Sequence, residues 1–271
     1  MNRREFGGLF AAAVASTPAL AAGAEPARGP EARETAGVPK FHDRRRPEVG
    51  MLLFPGLTLL DLLGPQTVLS TSSNVHLVWK TRDPIVSDSG IVLRPGATFD
   101  DCPKDLDVLF VGGGVGQLDV MKDPECLRFL ADRGARAKYV TSVCSGSLVL
   151  GAAGLLRGYE ATCHWAARDL LKLFGATPVA KRVVVDRNRV TGGGVTAGID
   201  FGLVLLAKLL GEEVAKATQL AMEYDPEPPF NAGSPEDAGP EITRQVRDRF
   251  GPLGLRMRRV SEEAGKALAD R

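Results

Sequence analysis

The chain has 271 residues, 44% of them hydrophobic and 25% charged, with 34 Lys plus Arg against 33 Asp plus Glu and a formal net charge of +1. This composition excludes disorder of the whole chain. The near-zero charge gives no electrostatic reason for nucleic acid or an anionic membrane as partner and leaves a small neutral molecule as the fitting ligand. The cysteines Cys102, Cys126, Cys144 and Cys163 form no C-x-x-C pair and are too few and too irregularly spaced for a disulfide scaffold or a structural zinc site.

Residues 1–21, MNRREFGGLFAAAVASTPALA, carry a basic start at Arg3 and Arg4, a short apolar run and an A-x-A pattern at Ala19-Leu20-Ala21, which together read as a cleavable signal peptide. The Arg3-Arg4 pair followed by Phe6 resembles the twin-arginine export motif, which predicts a periplasmic or secreted protein. A spanning helix needs about 20 strongly apolar residues. This run is shorter and is broken by Pro18, so no stable membrane association is expected after processing. Residues 22–46, rich in Pro, Gly, Ala and charge, read as a disordered linker, and His42 within it takes no role.

The folded domain is expected at 47–235. Strand patterns stand at 49–54, 75–80, 108–111, 139–143 and 182–185, with a hairpin around 85–93. Helical patterns stand at 59–72, 117–135, 145–156, 165–174 and 197–223. Strands separated by helices imply an α/β architecture, a parallel sheet covered on both faces. Ligands bind such sheets beyond the carboxyl ends of the strands, which points to the loops at 55–65, 112–116 and 144–146. The tail at 236–271 interleaves arginines with Glu and Asp and reads as a solvated amphipathic helical extension.

Cys144 falls where a β-branched strand runs into an apolar helix. A sharp turn there holds the side chain up at the sheet edge, and the N–H groups of the helix start favour a thiolate. Cys144 is therefore the candidate nucleophile, beside the hydroxyl of Ser145, while the other cysteines read as buried and inert. Loop 55–65 places one acid, Asp61, among leucines, where desolvation raises its affinity for a proton and suits a group that both gives and takes one. Capping of the following helix is the competing role for Asp61. The loop Gly112-Gly113-Gly114-Val115-Gly116 misses the G-x-G-x-x-G spacing of a dinucleotide site. It reads instead as room for substrate above the cysteine, with N–H groups from Gly113 to Gly116 turned to a developing negative charge. Gly192-Gly193-Gly194 forms a similar turn, and Asp200 after it caps a helix or faces the site's edge without a chemical step. His76 reads as structural; His164 is the one alternative base, and a packed core histidine is at least as good a reading.

Four strings go further: SVCSGSLVLGAAGLL (142–156), ATCHWAARDLL (161–171), VTGGGVTAGIDFGL (190–203) and PPFNAGSP (228–235). In this order they resemble the isocyanide hydratase branch of the DJ-1/PfpI superfamily, over nearly everything from residue 49 to 235. The resemblance implies a flavodoxin-like parallel sheet sandwiched by helices, a homodimer, and neither metal nor organic cofactor. It also implies that Cys144 is the catalytic cysteine and Asp61 the acid beside it. Protease-like and amidotransferase-like relatives carry histidine after the cysteine. Ser145 stands there instead, so the Cys-His pair of amide cleavage is missing. The hydratases have threonine at this place, and Ser145 keeps the hydroxyl while losing a methyl group.

The expected activity is that of a carbon–nitrogen lyase, a hydratase that adds water to an isocyanide through a cysteine thioimidate and releases an N-substituted formamide. Cys144 attacks, Asp61 moves protons, Ser145 holds the reacting centre, and Gly113, Gly114, Val115, Gly116 and His164 contact substrate. Glyoxalase-like or redox-sensing thiol chemistry is one alternative. The other is a non-catalytic ligand-sensing domain, since AraC-type regulators share the SVC-G and GID-like strings. Those regulators carry roughly 100 further residues of paired helix-turn-helix modules, and only 236–271 follow the domain here.

Overall fold

The computed structural model describes residues 41–270, so the leader read at 1–21 and the linker through residue 40 lie outside the described residues. Along the chain run β1 (Glu48–Leu52), α1 (Leu59–Ser70), β2 (Asn74–Val78), β3 (Ile85–Val86), β4 (Val92–Leu93), β5 (Val108–Val111), α2 (Gln117–Val120), α3 (Pro124–Arg136) and β6 (Tyr139–Val143). There follow α4 (Gly146–Ala152), β7 (Glu160–Ala161), a 3-10 helix (Arg168–Phe174), β8 (Thr177–Pro178), β9 (Val183–Asp186), β10 (Arg189–Gly192), α5 (Ala197–Leu210), α6 (Glu212–Ala221) and α7 (Pro235–Ala269).

The apolar strand β5 is stable only with both faces covered, and β5 and β10 are buried at every position. They lie inside a six-stranded sheet of order β2-β1-β5-β6-β10-β9. Every neighbouring pair is parallel except β9, which runs antiparallel to β10 at one edge. β10 escaped the sequence reading because the glycines that follow it look like a turn. α1 and α5 pack on one another, α3 on α4, and α7 on α4 and the 3-10 helix.

Two expected helices are each broken in two, for local reasons. The pattern at 117–135 stops at Val120 because Asp123 restarts it, accepting hydrogen bonds from the N–H groups of Glu125 (3.0 Å) and Cys126 (3.2 Å), with Pro124 in the first turn. The pattern at 197–223 divides at Gly211, whose φ of 100° no helix accommodates. The helix expected at 145–156 ends at Ala152, and Gly154 turns the chain with a φ of 78°. The linker expectation is corrected at its C-terminal end, where Arg46 donates to the carbonyls of Ser70 (2.8 Å) and Ser73 (2.7 Å).

The tail is helical and amphipathic as expected, but the expectation of a solvated extension is corrected, since its apolar stripe is docked on the domain. Val260 and Ser261 are buried, and a Cβ at Gly265 would stand 2.7 Å from the carbonyl of Leu173. A similar closeness sets α1 against α5, where a Cβ at Gly202 would stand 2.9 Å from the Cβ of Val68. Gly202→Val overpacks this contact and is expected to lower the unfolding free energy by about 1–3 kcal/mol, read as a lower urea midpoint at unchanged slope.

Candidate functional site

β6 ends at Val143 and α4 begins at Gly146, so strand must become helix within two residues. Cys144 makes the turn with a φ of 58°, a left-handed conformation that costs a non-glycine residue about 1–2 kcal/mol. The surroundings hold it there. The Cys144 N–H donates to the carbonyls of Gly193 (2.7 Å) and Gly192 (3.1 Å). Ser147 Oγ donates to the Thr162 carbonyl (2.7 Å) and accepts from Ser142 Oγ (2.8 Å), tying strand to helix beneath the cysteine. Gly146 permits the turn, since a Cβ there would collide with the carbonyl of Val111.

Two loops close on one another over this elbow. Thr58 N–H donates to the Gly113 carbonyl (2.9 Å), and Gly116 N–H to the Gly56 carbonyl (3.3 Å). The Gly113 N–H then donates to Asp61 Oδ2 (2.8 Å) and the Gly114 N–H to Ser145 Oγ (3.3 Å). A Cβ at Gly113 would lie 2.6 Å from Ser145 Oγ and 2.8 Å from Asp61 Oδ2, so only a glycine lets these two groups meet. The capping role that competed for Asp61 belongs to Asp88, which accepts from Thr58 Oγ1 (2.8 Å) and Leu59 N–H (3.4 Å).

Asp61 is completely buried, its Oδ1 has no hydrogen-bond partner, and the thiol of Cys144 lies close enough to the carboxyl to act on its proton affinity. Burial pushes its pKa up to about 6, against the pull of the Gly113 N–H and the thiol. The same enclosure corrects the expectation of a resting thiolate. Burial first, and then the Asp61 charge and the neighbouring Cys163, push Cys144 well above the ordinary thiol value; the N–H groups of Ser145 and Val195 pull the other way and lose. At neutral pH the pair therefore holds one proton, on sulfur.

Cys144 and Ser145 line an open cavity of about 870 Å³. Of the residues expected to contact substrate, Gly114, Val115 and His164 line it. Gly113 and Gly116 do not, and their N–H groups are turned to Asp61 and to the Gly56 carbonyl. His164 Nδ1 accepts from the Ala166 N–H (3.3 Å), and burial lowers its pKa, so its ring is a neutral wall of the cavity. Asp200 is engaged by Arg182 (2.7 Å) and by the Tyr224 hydroxyl (2.9 Å), and His76 by Glu48 (2.6 Å); none of these lines the cavity. The sequence reading missed α7, which supplies an entire wall including Arg247, Phe250, Leu253 and Met257. Among the described residues no group of three or more His, Cys, Asp or Glu is placed to hold a metal ion.

The DJ-1/PfpI family profile matches residues 47–208, from the start of β1 into α5. The chain belongs to the DJ-1/PfpI family. It is 50% identical over 224 residues to isonitrile hydratase of Pseudomonas putida, covering 82% of this chain and 97% of that one. It is 30% identical over 200 residues to the HTH-type transcriptional regulator GbdR of Pseudomonas aeruginosa, covering 70% of this chain and 53% of the regulator. Among solved structures, a THiJ/PfpI family protein from Pseudomonas syringae superposes with a TM-score of 0.79 at 47% identity, over 88% of this chain and 98% of that one.

Asp61 carries a linkage consequence. Its folded pKa, about 6, lies above its ordinary value of 3.8, so the folded state favours the protonated form. That contribution is full below pH 4 and is lost as pH rises through 6, leaving a burial cost of about 3 kcal/mol at pH 8. Asp61→Asn removes the charge and keeps an acceptor for Gly113. It is expected to stabilise the protein by up to about 3 kcal/mol at pH 8 and by almost nothing near pH 4, measured by denaturant unfolding at both values.

Proposed function

We propose that this DJ-1/PfpI protein is an isocyanide hydratase that converts R–N≡C and water to R–NH–CHO, with Cys144 as nucleophile. The observation that carries the reading is the enclosed carboxyl of Asp61 facing the Cys144 thiol, with no histidine hydrogen-bonded to that sulfur among the described residues. The extent of the likeness to the Pseudomonas putida isonitrile hydratase supports the same activity.

The terminal carbon of an isocyanide accepts both a nucleophile and a proton, and the pair offers one of each. Asp61 takes the thiol proton as sulfur attacks and delivers it to the same carbon, giving the thioimidate Cys–S–CH=N–R. Asp61, again a carboxylate, then takes a proton from water as its oxygen adds to the carbon, and passes that proton to nitrogen. Loss of the hydroxyl proton forms the carbonyl and breaks the carbon–sulfur bond, and the proton returns to sulfur. Ser145 Oγ is held by the Gly114 N–H, which leaves its own proton to donate to the reacting nitrogen or oxygen.

Two finer elements belong to the same proposal. A homodimer is supported by the exposed apolar side chains of Leu60, Leu63, Val86, Ile91 and Val92 on α1 and the β3–β4 hairpin, a pattern that marks interaction surfaces. Export is supported by the leader at 1–21. A ligand-sensing role without turnover is the second reading, favoured by the likeness to GbdR.

Formamide production from a simple alkyl isocyanide decides between them. Wild type is expected to turn over, Cys144→Ala to give none, and Asp61→Asn to lose about 10²–10⁴-fold in kcat. Only the carboxylate can accept the thiol proton, so kcat/KM should fall about tenfold per pH unit below the Asp61 pKa of about 6. Absence of formamide with wild type, or equal yield from Cys144→Ala, removes the hydratase reading. For the leader, replacing both Arg3 and Arg4 by Lys is expected to keep the protein in the cytoplasmic fraction.

A further inference from the structure

The reacting atoms of an isocyanide are one carbon and one nitrogen, whereas the cavity above Cys144 holds about 870 Å³, the scale of pockets that bury a ligand of drug size. Its walls are built to receive a body of that size. Trp165 and Leu170 form one side, and α7 brings Phe250, Leu253 and Met257 to the other. The residues of α7 at 247, 251, 254 and 258 also line the cavity, spaced by four, three and four, which is one face of a helix. Two of them, Gly251 and Gly254, sit in a helix interior, where glycine is disfavoured against alanine.

The protein's own packing does not demand those two glycines. A Cβ at either would find no atom within 4 Å, whereas one at Gly265 on the same helix would press on the Leu173 carbonyl at 2.7 Å. The groove they leave opens into the space in front of the thiol. The charged side chains around it are mixed in sign. Arg247 lies over the Trp165 ring at 5.6 Å and Arg258 stands 4.0 Å from Glu262, while Asp88, Asp169 and Asp248 also line the cavity. Such a set gives no net attraction for an anionic group.

We infer that the R group of the substrate is a bulky, neutral, apolar body of several linked or fused rings, seated in the α7 groove between Gly251 and Gly254 on one side and Trp165 on the other. This rests on the hydratase reading. Burial of apolar area on such a wall favours large R groups steeply, so α7 is the specificity element of the site.

The test compares kcat/KM for methyl isocyanide with that for 1-adamantyl and 2-naphthyl isocyanide, in the full chain and in Gly254→Leu. Wild type is expected to prefer the ring compounds by at least about tenfold, and Gly254→Leu, which fills the groove, to lower that preference at least about tenfold. Phe250→Ala, which removes part of the opposite end of the wall, is expected to lower the same ratio if the leucine variant fails to fold. Equal kcat/KM for small and large isocyanides, or a leucine variant that changes both alike, overturns the inference and leaves the hydratase reading standing. No formamide from any of the three overturns both.

Discussion

One proton held between two buried acids governs this site. Burial raises the proton affinity of both carboxyl and thiol, and the charge of Asp61 then holds the proton on Cys144. Asp61 is lifted to about 6 and Cys144 far higher, so around neutrality one is a base and the other still an acid. That difference is what allows a proton to leave sulfur at the moment sulfur attacks, rather than beforehand.

Much of the surrounding backbone exists to keep the pair together. Asp61 comes from α1 and Cys144 from the turn after β6, and the packing of α1 on α5 together with the closure of loop 55–58 on loop 113–116 holds the two elements in place. The glycines at 113 and 146 are the points where that closure leaves no room for a Cβ. The left-handed Cys144 and the buried, half-satisfied Asp61 both act against stability. A fully buried set of central strands and the Ser142–Ser147–Thr162 chain beneath the elbow offset them.

Membership of the DJ-1/PfpI family establishes the scaffold, and scaffolds of this kind serve unrelated ends. The relatives found here illustrate it, one carrying the name of a hydratase and another that of a transcriptional regulator. In this chain a buried carboxyl stands beside the thiol, where the Cys-His pair of amide cleavage would place an imidazole. The C-terminal helix α7 adds a wall to the open cavity on which that thiol lies.

The sequence by itself determined the features that depend on neighbours along the chain. Short β-branched runs made strands, the junction at Cys144 made an elbow, and a single acid among leucines marked Asp61 as costly to bury. Tertiary structure alone decided what depends on distant neighbours. The start of α4 suggested a thiolate, but burial of the sulfur first, and then the Asp61 carboxylate brought in by another element, outweigh the local N–H groups. The amides of Gly113 and Gly116 looked free for substrate until the folded loops turned them to Asp61 and Gly56. An amphipathic tail announces an apolar stripe without naming the surface that receives it, because burial is a property of two surfaces and a sequence pattern describes only one.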